Sequence, residues 1–137
     1  MSIKIEGIEE LVLKIEKLGN TANLDAALGK ACGLVEAAAK QKAPKGTGEL
    51  RRSITSKVEK NEGIIYTPLE YAPYVEYGTG LFAEKGGRKD VPWCYKDDEG
   101  KWHTTSGMKP QPYMRPALHE NKKKIIEIIK EEITNGK

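Results

Sequence analysis

Cys94 and His103 are the two residues whose side chains come nearest to a catalytic pair in this sequence. A thiolate activated by an imidazole can attack a carbonyl carbon, but the reaction also needs an oxyanion site and a substrate cleft. The residues around Cys94 and His103 indicate neither. Ser53, Ser56 and Ser106 lack the GxSxG context that exposes a serine nucleophile. A small Cys/His hydrolase is therefore the last of three functions that we consider for this chain.

Other common kinds of site also lack their usual residue spacing. His103 and His119 have no HxxxH, HxH or HExxH partner, so we expect no bound metal ion. Glu76 has no neighbouring carboxylate until Glu84, which leaves a glycosidase-like acid pair without its second member. The stretch GLFAEKGGRK lacks the GxxxxGK[ST] phosphate cradle. We therefore predict that the chain is not an enzyme and that it binds no cofactor.

Basic residues are concentrated in one part of the chain, although the net charge of +3 is mild. Residues 40–60 contain seven lysines or arginines against two glutamates. Such a patch can attract phosphates, and a solvated surface is the other interpretation. The candidates for a DNA-facing patch are Lys42, Lys45, Arg51 and Arg52. The alternative function that follows is a small nucleic-acid-binding or toxin-like module that uses this segment.

Helical spacing of apolar residues predicts two N-terminal helices, over residues 8–18 and from about residue 21 to just before Pro44. The second helix has a largely alanine face, and Gly29 and Gly33 also lie within it. Because small side chains let another element approach closely, we expect this helix to lie flat on a sheet or against a neighbouring helix. A further helix is expected after the prolines near residue 116, with its buried side running from Leu118 to Ile133.

Alternating apolar and polar residues predict two hairpins, after a short strand or extended arm at Ile3 and Ile5. The first covers residues 54–66 around a turn at 60–63. The second pairs residues 91–95 with 101–105 around an acidic turn that ends in glycine. We expect an α+β fold, a small antiparallel sheet of two hairpins packed by two N-terminal helices and a C-terminal helix. The 137 residues fit a single domain, with a mobile loop at about 80–90 and an added hairpin at about 91–105.

The stretch YAPYVEYGTG is interpreted as one or two helical turns, with a strand as the competing interpretation. A proline fits the first turn of a helix, and Tyr71, Tyr74 and Val75 have helical spacing. We expect Tyr71 and Val75 to anchor this structural turn and Gly78 to end it in a left-handed conformation. Glu76 is expected to point away from the core.

Three short blocks, in order along the chain, resemble the minor tail component family of long-tailed bacteriophages and prophages. They are APKGTGELRRSI, which matches a block opening the first strand of that family, then YAPYVEYGTG, and KPQPYMRPAL, which matches a block starting the last helix. The resemblance covers roughly residues 24–133. The segment 81–108 departs from the family pattern, so the role of its hairpin, with Trp93 and Trp102, is not carried over.

This resemblance implies a tail-completion or head–tail joining protein with no catalytic residues. Such a protein is a subunit of a ring, hexameric in the family, that caps the tail tube and contacts the head connector at the head–tail junction of the virion. It would be assembled in the cytoplasm of the bacterial host, with weak, non-specific contact to DNA passing through, and we expect no contact with a membrane. The residues assigned to the contact between subunits are Tyr74, Glu76, Tyr77 and Thr79.

Overall fold

The computed structural model of the chain describes residues 1–5, 8–17, 21–46, 48–84 and 92–135. It divides into a main unit, made of Met1–Leu69 and Tyr113–Lys137, and an inserted unit, Glu70–Pro112. In chain order the elements are β1 Ser2–Lys4, α1 Glu9–Lys17, α2 Thr21–Lys42, α3 Glu49–Ser53, β2 Thr55–Glu59, β3 Glu62–Tyr66, α4 Ala72–Tyr77, a 3-10 helix Gly80–Phe82, β4 Trp93–Lys96, β5 Trp102–Thr105, α5 Met114–Glu120 and α6 Lys122–Asn135. The predicted α+β class is confirmed.

The sheet of the main unit has three antiparallel strands in the order β1-β3-β2. Ile65 in the central strand lies opposite Ile3 of β1 and Ser56 of β2, and it is fully buried. The turn between β2 and β3 places Lys60 and Asn61 at φ values of 49° and 63°, the paired positive angles of a type I′ hairpin turn. The first predicted hairpin is therefore present, and β1 adds a third strand to it.

Helix α2 is the central element of the main unit and contacts β2, β3, α5 and α6. Its buried side consists of small and branched apolar residues, among them Leu24, Ala27, Ala31 and Val35. The prediction that this helix packs on a sheet and on neighbouring helices is confirmed. Its two glycines, at 29 and 33, are on the exposed side, where an added Cβ would meet nothing within 4 Å, so alanines make the close contacts.

The last part of the chain forms two helices rather than the single one predicted. Helix α5 ends at Glu120, and Asn121 has a non-helical φ of −106°. The side-chain amide of Asn121 donates to the Ala117 carbonyl at 2.8 Å, and the backbone carbonyl of Asn121 accepts from the Ile125 amide at 2.9 Å. Side chains on both sides of this break are buried, so α5 and α6 each contribute to the core. They are Tyr113, Met114, Ala117, Ile125 and Ile129.

One other detail of the main unit differs from expectation. Residues Glu49–Ser53, placed by the resemblance at the opening of the first strand, form α3, and the strand starts at Thr55. The helix begins where the Arg52 amide donates to the Gly48 carbonyl at 3.0 Å.

Among the helices in the described ranges, none has the length and apolar character needed to cross a bilayer.

The inserted unit contains α4, the 3-10 helix and the second hairpin, β4 with β5. This hairpin is present as predicted, but it forms a separate two-stranded sheet rather than joining the first hairpin. The loop predicted to be mobile begins with the 3-10 helix Gly80–Phe82. Its residues 85–91 lie outside the described residues, so its mobility stays a prediction. The single-domain organisation also stays a prediction.

Candidate interaction surface

The stretch YAPYVEYGTG forms α4, which confirms the helical interpretation over the strand. A proline occupies its first turn, and the Gly78 amide donates to the Tyr74 carbonyl at 2.9 Å. Gly78 has φ 83° and ψ 171°, so its φ is positive as expected but its ψ is extended. That region of backbone space is essentially restricted to glycine. A Cβ at Gly78 would also lie 2.9 Å from the Phe82 carbonyl oxygen and from Pro110 Cδ.

The buried face of α4 is shifted by one residue from the predicted one. Ala72, Val75 and Glu76 are buried, whereas Tyr71 is exposed and Tyr74 is 58% exposed. The expectation that Glu76 points outward is therefore corrected, because its side chain is 0% exposed. A buried carboxylate requires polar partners, and Glu76 has an interaction partner within the structure. Its position fits a role within the inserted unit rather than at a rim.

Thr79 and Tyr77, both half-buried, follow the exposed Tyr74 in the chain. The Thr79 amide donates to the Met108 carbonyl at 2.9 Å, and the Thr79 hydroxyl accepts from the Met108 amide at 2.9 Å. A third bond joins the Leu81 amide to the Ser106 carbonyl at 2.8 Å. Thr79 is thus part of the internal bonding of the inserted unit, as well as a candidate for the contact between subunits.

Gly107 is a structural residue that the sequence interpretation missed. Its φ is +121°, and a Cβ there would overlap the Thr79 carbonyl oxygen and lie 2.9 Å from Gly80 Cα. The close approach of the 79–81 and 106–108 backbones therefore requires glycine at this position. The only signal in the sequence is the Ser-Gly pair, a common turn signal with no indication of its distant partner.

The second hairpin separates the residues of the suspected catalytic pair. Cys94 lies opposite Thr104 and Tyr95 lies opposite His103, so Cys94 and His103 occupy opposite faces. The Cys94 thiol is 3.6 Å from the Thr104 hydroxyl. His103 Nε2 instead lies 2.7 Å from Asp97 Oδ2, and its ring stacks on Tyr95 with 5.3 Å between centroids. This arrangement does not form a thiolate–imidazole pair.

The carboxylate of Asp97 forms hydrogen bonds within the hairpin and its turn. Its hydrogen bond to His103, followed by that to the Lys101 backbone, lowers the pKa of Asp97 below its ordinary value. Oδ1 accepts from the backbone amides of Glu99 at 2.9 Å and Lys101 at 2.8 Å. Asp97 therefore orders the turn.

His119 is exposed on α5, and no group of three His, Cys, Asp or Glu that could hold a metal was found within the described ranges.

Cys32 is a buried thiol in the main unit. Burial raises its pKa from the ordinary 9.0 to about 11, and a hydrogen bond from the Ile64 backbone offsets part of that increase. Such a thiol stays protonated at neutral pH and reacts poorly as a nucleophile. Cys94, by contrast, is exposed.

The four residues of the predicted DNA-facing patch have different environments. Lys42 forms an ion pair with Glu120 at 2.6 Å, so its charge is partly compensated. Lys45 and Arg52 are exposed, and Arg51 is half-buried, with a buried Nε that lacks a hydrogen-bond acceptor in the part of the chain described. A DNA contact here stays a prediction.

An open groove of about 400 Å³ lies in the main unit between β1, α1 and the β2–β3 turn. Ile5, Ile8, Val12 and the exposed Leu13 line it. Its charged rim includes the Lys4–Glu62 pair at 3.2 Å. Glu16, Lys60 and Asn61 also line the groove, so an apolar floor is bordered by charged and polar side chains.

Comparison with known proteins identifies one family. Residues 9–78, about half of the chain, match the model of the family described as "Bacteriophage HK97-gp10, putative tail-component". The match extends from α1 through α4 to Gly78, so the second hairpin lies beyond the matched residues. No curated protein and no solved structure matches the chain. The chain therefore belongs to the HK97-gp10-like family of phage tail components.

Proposed function

We propose that the chain is a subunit of a ring at the head-proximal end of the phage tail, where it completes the tail and joins it to the head connector. Membership of a tail-component family supports a structural role in the virion. By resemblance the ring has six copies, is assembled in the host cytoplasm and contacts the tail tube and the connector. No catalytic step is assigned to the chain.

The observation that carries this proposal is the distribution of exposed apolar side chains. Eight large apolar residues are exposed in the described part of the chain, and seven of them belong to the inserted unit. The seven are Tyr71, Tyr74, Leu81, Phe82, Tyr95, Trp102 and Met108. Exposed apolar and aromatic groups concentrated in one part of a protein are typical of surfaces that bind other proteins.

Tyr74 is the residue of the predicted contact set that best fits direct contact with another subunit. It is 58% exposed, and aromatic side chains are enriched among residues that dominate binding energy. Tyr77 and Thr79 would contribute what remains exposed of their side chains. Glu76, being buried, would act on the contact only through the position of α4. We expect Tyr74→Ala to weaken subunit association by at least about 1 kcal/mol.

A phage in which this gene is disrupted tests the function. Electron microscopy of its lysates should show separate heads and tails, and the wild-type chain supplied in trans should restore joined particles. Tyr74→Ala should restore fewer of them than Lys123→Ala, a matched change of an exposed residue on α6. Joined, infectious particles without any copy of the chain would refute the proposal. Heads without tails would place the chain at an earlier step of tail assembly.

A further inference from the structure

The second hairpin has exposed side chains on both of its faces. Tyr95 is 45% exposed on one face, and Trp102 is 69% exposed on the other. Of the strand residues whose side chains are described, Thr105 alone is half-buried and the rest are exposed. A two-stranded hairpin without a packed face is marginally stable in water. The exposed aromatic residues therefore point to a partner that covers the hairpin.

The tip of the hairpin is held in one conformation by its own hydrogen bonds. The Asp97 amide donates to the Lys101 carbonyl at 2.9 Å, and the Gly100 amide donates to the Asp97 carbonyl at 3.0 Å. The Asp97 carboxylate turns back onto this loop and onto His103. The outermost side chains are then Asp98 and Glu99, both exposed.

Lysines flank the tip but lie behind it. Lys96 occupies the last strand pair, opposite Trp102, and Lys101 closes the turn. A surface that approaches the hairpin end-on meets the carboxylates of Asp98 and Glu99 first. A tip that is already ordered also loses little conformational entropy on binding.

The main unit carries a complementary feature in its basic segment, residues 40–60. The Gly48 amide donates to the Lys45 carbonyl at 2.8 Å, which closes a turn after α2. A Cβ at Gly48 would lie 2.8 Å from Arg52 Nη1, so the Arg52 guanidinium lies over this same turn. Lys45 and Arg52 are both exposed, and thus two cations border one small turn.

We propose that the hairpin tip of one copy docks on the basic segment of a second copy, with Asp98 and Glu99 against Lys45 and Arg52. Trp102 would be the apolar part of the contact. The inference rests on the proposed ring, because a ring requires two different surfaces on each subunit that bind each other. The occupant is a second copy because this chain itself carries the opposite charges. In this arrangement protein, not DNA, covers the basic segment.

Charge reversal in both surfaces tests the pairing. Asp98→Lys with Glu99→Lys should weaken self-association, measured by sedimentation equilibrium, about a hundredfold, since facing like charges cost several kcal/mol. Lys45→Glu with Arg52→Glu should do the same, and the chain carrying all four changes should associate nearly as the wild type does. Trp102→Ala should weaken association about tenfold. Lys123→Glu and Glu127→Lys on α6 serve as matched controls, and thermal melting checks that each variant folds.

Four outcomes would overturn the pairing. In the first, either charge-reversal variant associates as strongly as the wild type, and in the second, the chain with all four changes does not regain association. In the third, the wild-type chain stays monomeric at every concentration. In the fourth, the Lys45/Arg52 variant loses only its binding to duplex DNA. The last would assign the segment to DNA. The pairing and the proposed function fail on different results. A charge-reversal variant that associates normally and joins heads to tails refutes the pairing and leaves the function intact. Joined particles without the chain refute the function.

Discussion

Replacement of Gly107 by alanine should selectively destabilise the inserted unit. At φ +121°, an added Cβ would overlap the Thr79 carbonyl group, with 2.8 Å to its carbon and 2.9 Å to Gly80 Cα. Both neighbours are backbone atoms, so no side-chain rotation relieves the contact. The segments must separate, and this strains the hydrogen bonds between Thr79 and Met108 and between Leu81 and Ser106.

The expected loss follows from three contributions. An alanine held at positive φ costs about 1–3 kcal/mol, and an overpacked contact costs about 1–3 kcal/mol. Each weakened hydrogen bond adds up to about 1 kcal/mol. Because the contributions overlap when the backbone relaxes, we expect a total of about 3–5 kcal/mol. At a typical urea dependence, this moves the midpoint by roughly 1–3 M.

Urea unfolding followed by two signals can locate this loss. Both tryptophans of the chain belong to the inserted unit, so their fluorescence reports on it, whereas far-ultraviolet circular dichroism is dominated by α2 and α6. The fluorescence transition of Gly107→Ala should move further than the dichroism transition. Gly29→Ala is the control: its Cβ meets nothing and it lies within α2, so it should stabilise the helix by about 1 kcal/mol. A Gly107→Ala chain within about 0.5 kcal/mol of wild type would show that the 79–81 and 106–108 backbones need no glycine.

Three further results are expected. Glu76→Lys should lower the free energy of unfolding by more than about 2 kcal/mol, because it places an unmatched charge at a fully buried position. The melting temperature should fall accordingly, and wild-type melting would contradict this reasoning. A thiol reagent should modify the exposed Cys94 rapidly and Cys32 only on unfolding. Because the Cys32 thiol ionises at lower pH in the unfolded chain than in the folded one, the free energy of unfolding should fall as pH rises. The decrease should be up to about 1.4 kcal/mol per pH unit between the pKa of the unfolded thiol, 9.0, and that of the folded thiol, about 11. His103→Ala should raise the pKa of Asp97 towards its ordinary value, so that acid loss of the hairpin's turn occurs at higher pH; an unchanged carboxyl titration by NMR would mean that His103 does not hold Asp97.

Local patterns predicted the helices and hairpins well because their signals lie within a few residues. The spacing of apolar residues identified α1 and α2, and a turn rich in polar residues identified the first hairpin. Pairing between strands distant in sequence leaves no comparable signal, so the separation of the two hairpins into different sheets was not predicted. The break at Asn121 depends on one amide bonding to Ala117, which periodicity of apolar residues does not register.

The orientation of α4 shows why the candidate surface was only partly predicted. Tyr71, Tyr74 and Val75 have helical spacing, and so do Ala72, Val75 and Glu76. Hydrophobicity favours the first set, whereas the structure buries the second. A tyrosine can remain exposed where it serves contact with another protein, and a carboxylate can be buried where it has partners. Sequence pattern alone does not distinguish these two cases.

The insertion of residues 70–112 between two parts of the main unit has a consequence for synthesis on the ribosome. Helix α2 packs against α5 and α6, whose buried residues Met114, Ala117, Ile125 and Ile129 are translated after the whole inserted unit. At about 5–20 residues per second, the roughly sixty residues from Leu69 to Ile129 take on the order of 3–12 s. During that interval a nascent chain presents the apolar side of α2 without its helical cover. Chaperone binding should therefore be strong for chains stalled near residue 112 and weak for the chain released from the ribosome.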